Sequence, residues 1–260
     1  MKISILQMHT ILGQAETNRA SLLRLTEKAL AGNPDVLIMP EMWPIGFFPR
    51  PIENHADIDG ENTRTMLSEL ARKCRVNIIG GSVARLESAT GKIYNTCYVF
   101  DRQGQEIAFY DKVHLFSPGR EDQVFEAGKN FCTFTLEGHK CGLAICYDLR
   151  FGSFLIDLTS DIDLLFLPAA WPRLRQSHWE ILTRARAIEY QVFVIAANGG
   201  AAPGDKHPLA GRSGIYDPWG EILAQAGGGE EIISAQLDFS ALQESRSKIP
   251  VRKDKKCLRS

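Results

Sequence analysis

The sequence predicts a layered α/β protein. Strand-like and helix-like patterns alternate along most of the chain. Several strand patterns are short, wholly apolar runs of the kind found in parallel strands covered on both faces. No stretch rich in Pro, Gly or Ser divides the 260 residues, and no short-period repeat is present, so a single domain over 1–260 is expected.

Residues 3–8 read as a buried opening strand. Over 18–31, Leu22, Leu23, Leu25 and Leu30 recur among polar residues, a helical pattern ended by Gly32, Asn33 and Pro34. The apolar run at 35–41 is the next strand, 63–73 the next helix and 76–79 a strand broken by Gly80 and Gly81. Residues 94–100 and 106–110 form two strands joined by a turn at 101–104, and 131–136 with 141–146 repeat the idea around Gly138. A strand at 164–167, a helix at 177–190, a strand at 192–197 and a last strand pair around 217–220 complete the pattern.

Composition is that of an ordinary globular protein, with 44% hydrophobic and 23% charged residues. The formal net charge of −1 gives no electrostatic footprint for nucleic acid or anionic lipid. A basic cluster of Arg252, Lys253, Lys255, Lys256 and Arg259 reads as a solvated terminus. The opening apolar stretch is broken by Gln7, His9 and Thr10, so it resembles neither a signal peptide nor a membrane span. Cys74, Cys97, Cys132, Cys141, Cys146 and Cys257 make no CxxC pair, and reduced thiols in a cytoplasmic protein are the expectation. No metal-ligand spacing and no phosphate-binding glycine loop occurs, so neither a metal nor a cofactor is expected.

Three reactive groups sit where apolar strands end: Glu41, Lys112 and Cys146. In open α/β sheets ligands bind beyond the carboxyl ends of strands, so three unlike groups at three such ends point to one shared site. If the strand at 141–146 keeps its alternation, Cys146 shares a face with Gly142 and Ala144, leaving room for a substrate beside the sulfur. A sharp turn after it would aim the Tyr147 N–H at a developing oxyanion. A thiol with an ordinary pKa of about 8.5 needs a base or a nearby cation. A carboxylate in an apolar setting can serve, and Glu41 lies between Pro40 and the apolar run Met42, Trp43, Pro44. Lys112 would be a fixed cation beside the oxyanion. Each group also has a plainer reading: an inert buried cysteine, an exposed glutamate at a loop start, and a surface salt bridge between Lys112 and Asp111. His114 could instead pair with Cys146, and His178 would pack or cap at a helix start. A redox role would need a resolving thiol, and Cys141 is expected on the opposite strand face.

Taken together, these segments resemble the nitrilase superfamily of carbon–nitrogen hydrolases. The matching stretches are 37–43, 110–116 and 142–151, together with 167–172, His178-Trp179, 184–189 and 211–220, so the likeness covers nearly the whole chain. The resemblance implies a four-layer α-β-β-α sandwich that usually forms a homodimer. It implies a Glu-Lys-Cys triad, here Glu41, Lys112 and Cys146, with a second glutamate at Glu121. Asp122 and Glu126 are neighbours that could compete for that position.

Within the superfamily the chain looks most like the ω-amidase branch, which removes the terminal amide of 2-oxo-acid amides. Trp171-Pro172-Arg173, followed by His178-Trp179, carries that likeness. The substrate implied is a small-molecule amide bearing a carboxylate, with Arg173 as its cation and Tyr147, Trp43 and Trp171 around it. A nitrilase or N-carbamoyl amino acid hydrolase would use the same triad, and a non-catalytic binding protein could keep the fold. One departure stands out. Where the family continues with Pro-Glu and a helix, this chain has Gly152-Ser153, so a looser loop is expected behind the nucleophile.

Overall fold

The computed structural model describes residues 1–254. Two sheets lie face to face, each covered on its outer side by helices. The first-half strands are β1 (Lys2–Gln7), β2 (Val36–Ile38), β3 (Asp57–Ile58), β4 (Asn77–Ile79), β5 (Val83–Leu86), β6 (Ile93–Phe100) and β7 (Glu106–Asp111). The rest are β8 (Cys132–Leu136), β9 (His139–Leu143), β10 (Leu164–Ala169), β11 (Phe193–Asn198), β12 (Gly214–Tyr216), β13 (Ile222–Gln225) and β14 (Glu231–Gln236). The helices are α1 (Ala15–Leu30), α2 (Glu61–Cys74), α3 (Gly152–Leu158), α4 (Gln176–Tyr190), α5 (Ser240–Lys248) and α6 (Val251–Asp254).

The first sheet has the order β14-β1-β2-β4-β6-β5-β3, with β7 on the other edge of β6. The second runs β13-β12-β11-β10-β9-β8. Side-chain alternation builds the layers. Ile3, Ile5, Val36, Ile38, Ile79, Cys97 and Val99 face the second sheet and join the central core. Leu6, Leu37, Ile78, Tyr98 and Phe100 face outward against Leu22 and Leu25 of α1 and Leu67 and Ala71 of α2. On the far side, Leu155 and Leu158 of α3 and Trp179 and Ala187 of α4 cover the second sheet. The result is the α-β-β-α sandwich.

Strand direction places the functional loops. β1, β2 and β4 are parallel, β6 opposes β4, and β7 opposes β6. So β7 runs with β2, and the segments after both strands leave from one edge. Glu41 lies just past β2, and Lys112 directly follows β7. In the second sheet β9, β10 and β11 are parallel, sending Cys146 and Ala170 off their carboxyl ends.

Several elements differ from expectation. The strand expected through 146 ends at Leu143, and Cys146 opens a 3-10 turn, Cys146–Arg150, at φ +46°. Alternation therefore does not set the direction of its side chain. The space beside Gly142 is not open either, because an added Cβ would lie 2.8 Å from Ile162 Cδ1. The helix after the Cys146 turn forms despite Gly152-Ser153. Ser153 does not cap it, and burial of Leu155 and Leu158 with a Tyr190 hydroxyl bond to the Gly152 carbonyl (3.2 Å) holds it instead. Arg252 is no frayed terminal residue: its guanidinium donates to the carbonyls of Thr159, Ile162 and Tyr190 at 3.1, 2.9 and 3.2 Å. Lys255, Lys256 and Arg259 of that basic cluster, and the sixth cysteine, Cys257, lie outside the described residues. No helix of the described residues is long and apolar enough to cross a membrane.

Candidate active site

The loop after β2 carries Glu41 into the interior. It turns through Met42 at φ +53° and is pinned where the Glu41 N–H meets the Ala169 carbonyl at 3.2 Å, joining the two sheets. Gly81 lies directly beneath, at φ +66°. A Cβ there would stand 2.2 Å from the Pro40 carbonyl oxygen, so glycine allows the loops to touch.

Glu41, Lys112 and Glu121 form one buried cluster, and their side chains have no solvent exposure. Lys112 Nζ donates to Glu41 Oε1 at 2.8 Å and to Glu121 Oε1 and Oε2 at 3.0 and 2.8 Å. Buried ions persist only when paired and hydrogen-bonded. Burial alone would lower the Lys112 pKa, but Glu121 and Glu41 outweigh it and hold the ammonium above lysine's usual range. Asp111 does not compete, since it pairs with Arg85 at 3.0 Å. Glu121 is fixed by a bond from the Phe116 N–H to its Oε2 at 2.7 Å. Of its sequence neighbours, Asp122 is exposed and Glu126 pairs with Lys92 at 3.1 Å.

Asn95, on β6, escaped the sequence reading. Its Nδ2 donates to Glu41 Oε1 and to Glu121 Oε1, both at 2.9 Å. The signal for it was a polar pair, Asn95-Thr96, inside a strand otherwise rich in apolar and aromatic residues, where asparagine is disfavoured. Glu41 Oε2 accepts the Ala170 N–H at 2.8 Å.

Cys146 lies against this cluster and is 7% exposed. Burial pushes its thiol well above the usual range. Glu41 pushes the same way, and Lys112 with the Ala170 N–H opposes them without prevailing. The turn that presents it is braced by Asp148, which accepts the Ile145 N–H at 2.9 Å and the Tyr110 hydroxyl at 2.8 Å. His114 does not pair with Cys146; its Nδ1 lies 2.7 Å from Asp148 Oδ1 and its ring stacks on Phe151. His178 lies 3.0 Å from an Arg150 nitrogen at the start of α4.

Cys146 opens into a cavity of about 520 Å³. Tyr147, Phe116 and Trp171 give it apolar walls, while Arg150, Arg175 and Lys206 bring positive charge. Arg150 lies over the Trp171 ring at 4.8 Å and Arg175 over the Phe116 ring at 5.2 Å. Two expected residues are not among those lining it. Trp43 is buried in the core between the first sheet and its helices, its indole N–H on the Gly80 carbonyl at 2.9 Å. Arg173 is exposed at the start of its 3-10 turn, Arg173–Arg175, and acts on Asp205 of the cavity lining, while Arg175 itself lines the cavity. No group of three metal-ligating side chains occurs among the described residues.

The carbon–nitrogen hydrolase family model matches residues 2–247. The chain is similar to the 2-oxoglutaramate amidase of Bacillus subtilis (strain 168), at 38% identity over 97% of this chain and 96% of that protein. It is similar to omega-amidase NIT2 of Homo sapiens, at 36% identity over 96% and 92%. Among solved structures, Saccharomyces cerevisiae Nit3, a member of branch 10 of the nitrilase superfamily, matches with a TM-score of 0.90 and 27% identity, covering 96% of this chain and 94% of that one.

Proposed function

Since the chain belongs to the carbon–nitrogen hydrolase family and is thus a hydrolase of carbon–nitrogen bonds, we propose that it removes the terminal amide of a small 2-oxo acid. The observation that carries this reading is the cavity itself: the Cys146 thiol lines it, the buried Glu41 and Lys112 act on that sulfur from behind, and arginines stand on its wall. Arg150 and Arg175 supply bidentate partners for a carboxylate at the far end of the substrate. The similarity to a 2-oxoglutaramate amidase and an omega-amidase supports the 2-oxo acid.

Glu41 takes the Cys146 proton as the sulfur attacks the amide carbon. Glu41 Oε1 already accepts two donors, whereas Oε2 accepts only the Ala170 N–H, so Oε2 has a lone pair for the thiol proton. The tetrahedral oxyanion is held by Lys112 and the Tyr147 N–H. Lys112 has three N–H bonds; one serves Glu41 and one can be shared by the two oxygens of Glu121, leaving the third for the oxyanion. The proton on Glu41 then passes to the leaving nitrogen, ammonia departs and a thioester remains on Cys146. Water, deprotonated by Glu41 with Glu121 steadying Lys112, attacks the thioester and frees the acid and the thiol. Donors fixed before reaction need no reorganisation as charge develops.

The finer expectations rest on further features. Cys74, Cys97, Cys132, Cys141 and Cys146 are free thiols, which suits a reducing compartment such as the cytoplasm. Ile181 and Ile188 on α4, 66% and 51% exposed, together with Leu174, suit a second copy of the chain. A continuous core running through both sheets supports a single domain.

The test is an ammonia-release screen over terminal amides of 2-oxo acids, uncharged amides, nitriles and carbamoyl amino acids. The proposal expects turnover to be fastest on the first. Faster turnover of nitriles, or carbon dioxide release from carbamoyl compounds, would assign the site to the sister reactions.

A further inference from the structure

The geometry points to Asn95 as the positioning residue that holds the Glu41 and Glu121 carboxylates in place and reserves one oxygen of Glu41 for the Cys146 proton. Asn95 is 1% exposed and stands on β6 between the two acidic side chains. Its Nδ2 carries two hydrogens, and its contacts are two carboxylate oxygens, Glu41 Oε1 and Glu121 Oε1, at 2.9 Å each. Only a carboxamide offers two N–H bonds from one neutral side-chain atom. Its backbone does related work, because the Lys112 N–H donates to the Asn95 carbonyl at 2.9 Å. One residue thus fixes both carboxylates by its side chain and the ammonium's backbone by its main chain.

Charge counting shows why a neutral donor belongs there. Two carboxylates face one ammonium, so the cluster carries an excess negative charge before the thiol reacts. A second lysine would neutralise that charge and weaken Glu41 as a base. An acceptor would leave the carboxylates to repel one another. An uncharged double donor stabilises both anions and leaves the count unchanged. It also fills the remaining acceptor site on Glu41 Oε1, which Lys112 already shares. Oε2 is then the oxygen left to take the thiol proton. Asn95 Oδ1 is buried with no partner among the described residues, an unfavourable arrangement that persists because the other half of the amide is held.

This inference rests on the proposed roles of Glu41 and Cys146, so its test uses a readout that needs no substrate. Alkylation of Cys146 by iodoacetamide is followed by peptide mass spectrometry across pH 6 to pH 10 (roughly the range of thiol titration). In the intact protein Cys146, which opens to the cavity beside Glu41, should react faster than the other buried thiols, Cys97, Cys132 and Cys141; if it does not, the triad reading itself fails. Asn95→Asp keeps the shape but replaces the donor with a negative charge. Its alkylation at neutral pH should slow about tenfold or more, and the profile should move up by about one pH unit. Asn95→Ser keeps one donor and should lie between the two. A folded Asn95→Asp protein, with unfolding temperature near that of the parent, that alkylates on the parental pH profile overturns the proposal. Should Asn95→Asp fail to fold, a parental profile in Asn95→Ser overturns it equally.

Discussion

Burial and the neighbouring Glu41 carboxylate both disfavour a thiolate at Cys146, the proposed nucleophile. In the proposed reaction Glu41 therefore acts during attack and not before it. Glu41→Gln keeps the side chain's shape and removes the acceptor, so kcat should fall by about 10²- to 10⁴-fold. Steady-state ammonia release measures this, and a fall below tenfold would remove Glu41 from the role of base. Lys112 poses a different risk. Lys112→Met leaves two buried carboxylates facing each other, and removing one partner of a buried pair costs about 3–5 kcal/mol. Denaturant unfolding should show that loss along with the loss of activity. Glu41, Lys112, Glu121 and Cys146 were legible because each lies in an ordered, recognisable stretch. Asn95 was not, because its meaning depends on two residues far away in sequence. The direction of Cys146 was misread because the strand ends at Leu143 and the residue takes φ +46°, where period-two reasoning no longer applies.

At the scale of elements, the site is the work of loops leaving parallel strands, and those were predictable. The 3-10 turn Arg173–Arg175 was not: which arginine meets the cavity depends on turn geometry that neither periodicity nor composition encodes. If Arg175 binds the substrate carboxylate, Arg175→Ala should raise KM for carboxylated amides by about 10- to 100-fold, the value of one charged hydrogen bond of about 1.5–3 kcal/mol. It should leave KM for an uncharged amide of similar size unchanged. Equal loss on both substrates would mean the arginine supports the wall and not the ligand. The elements missed altogether were β3, β5, β14, α5 and α6, which lack a strong apolar signal, and a looser loop was expected where α3 forms. Their role is visible only in three dimensions: β14 closes the edge of β1, and Arg246 and Arg252 bring α5 and α6 onto the carbonyls at the end of α3. Arg252 is held low, at about 10, mainly by burial. Arg252→Ala should destabilise the fold by about 1–3 kcal/mol, since it strands several carbonyls.

Across the whole molecule the layers follow from alternation within each strand, so the sandwich could be inferred once the family likeness was seen. What could not be inferred is how many titratable groups the two-sheet core holds in their protonated form. Burial pushes Cys97 and Cys146 well above the usual thiol range and Cys132 up to about 12, while Tyr110 is raised above an ordinary phenol by burial and Asp148. Lys112 is raised as well, by its glutamates. Each folded-state pKa exceeds its unfolded value, so each contribution is intact below the unfolded pKa and is lost as pH rises through the folded one. The unfolding temperature should therefore hold through neutral pH and decline above about pH 8.5, where unfolded thiols begin to ionise. A flat or rising profile over that range would show that the core is wetter than its packing implies.

The nucleophile itself is most directly tested by intact mass spectrometry of the protein mixed with the terminal amide of a 2-oxo dicarboxylic acid and quenched in acid. Acid should trap a mass increase equal to the acyl group, mapping to the peptide that contains Cys146 and missing from Cys146→Ala. An acyl group on any other residue, or undiminished ammonia release by Cys146→Ala, would contradict a thioester at this position.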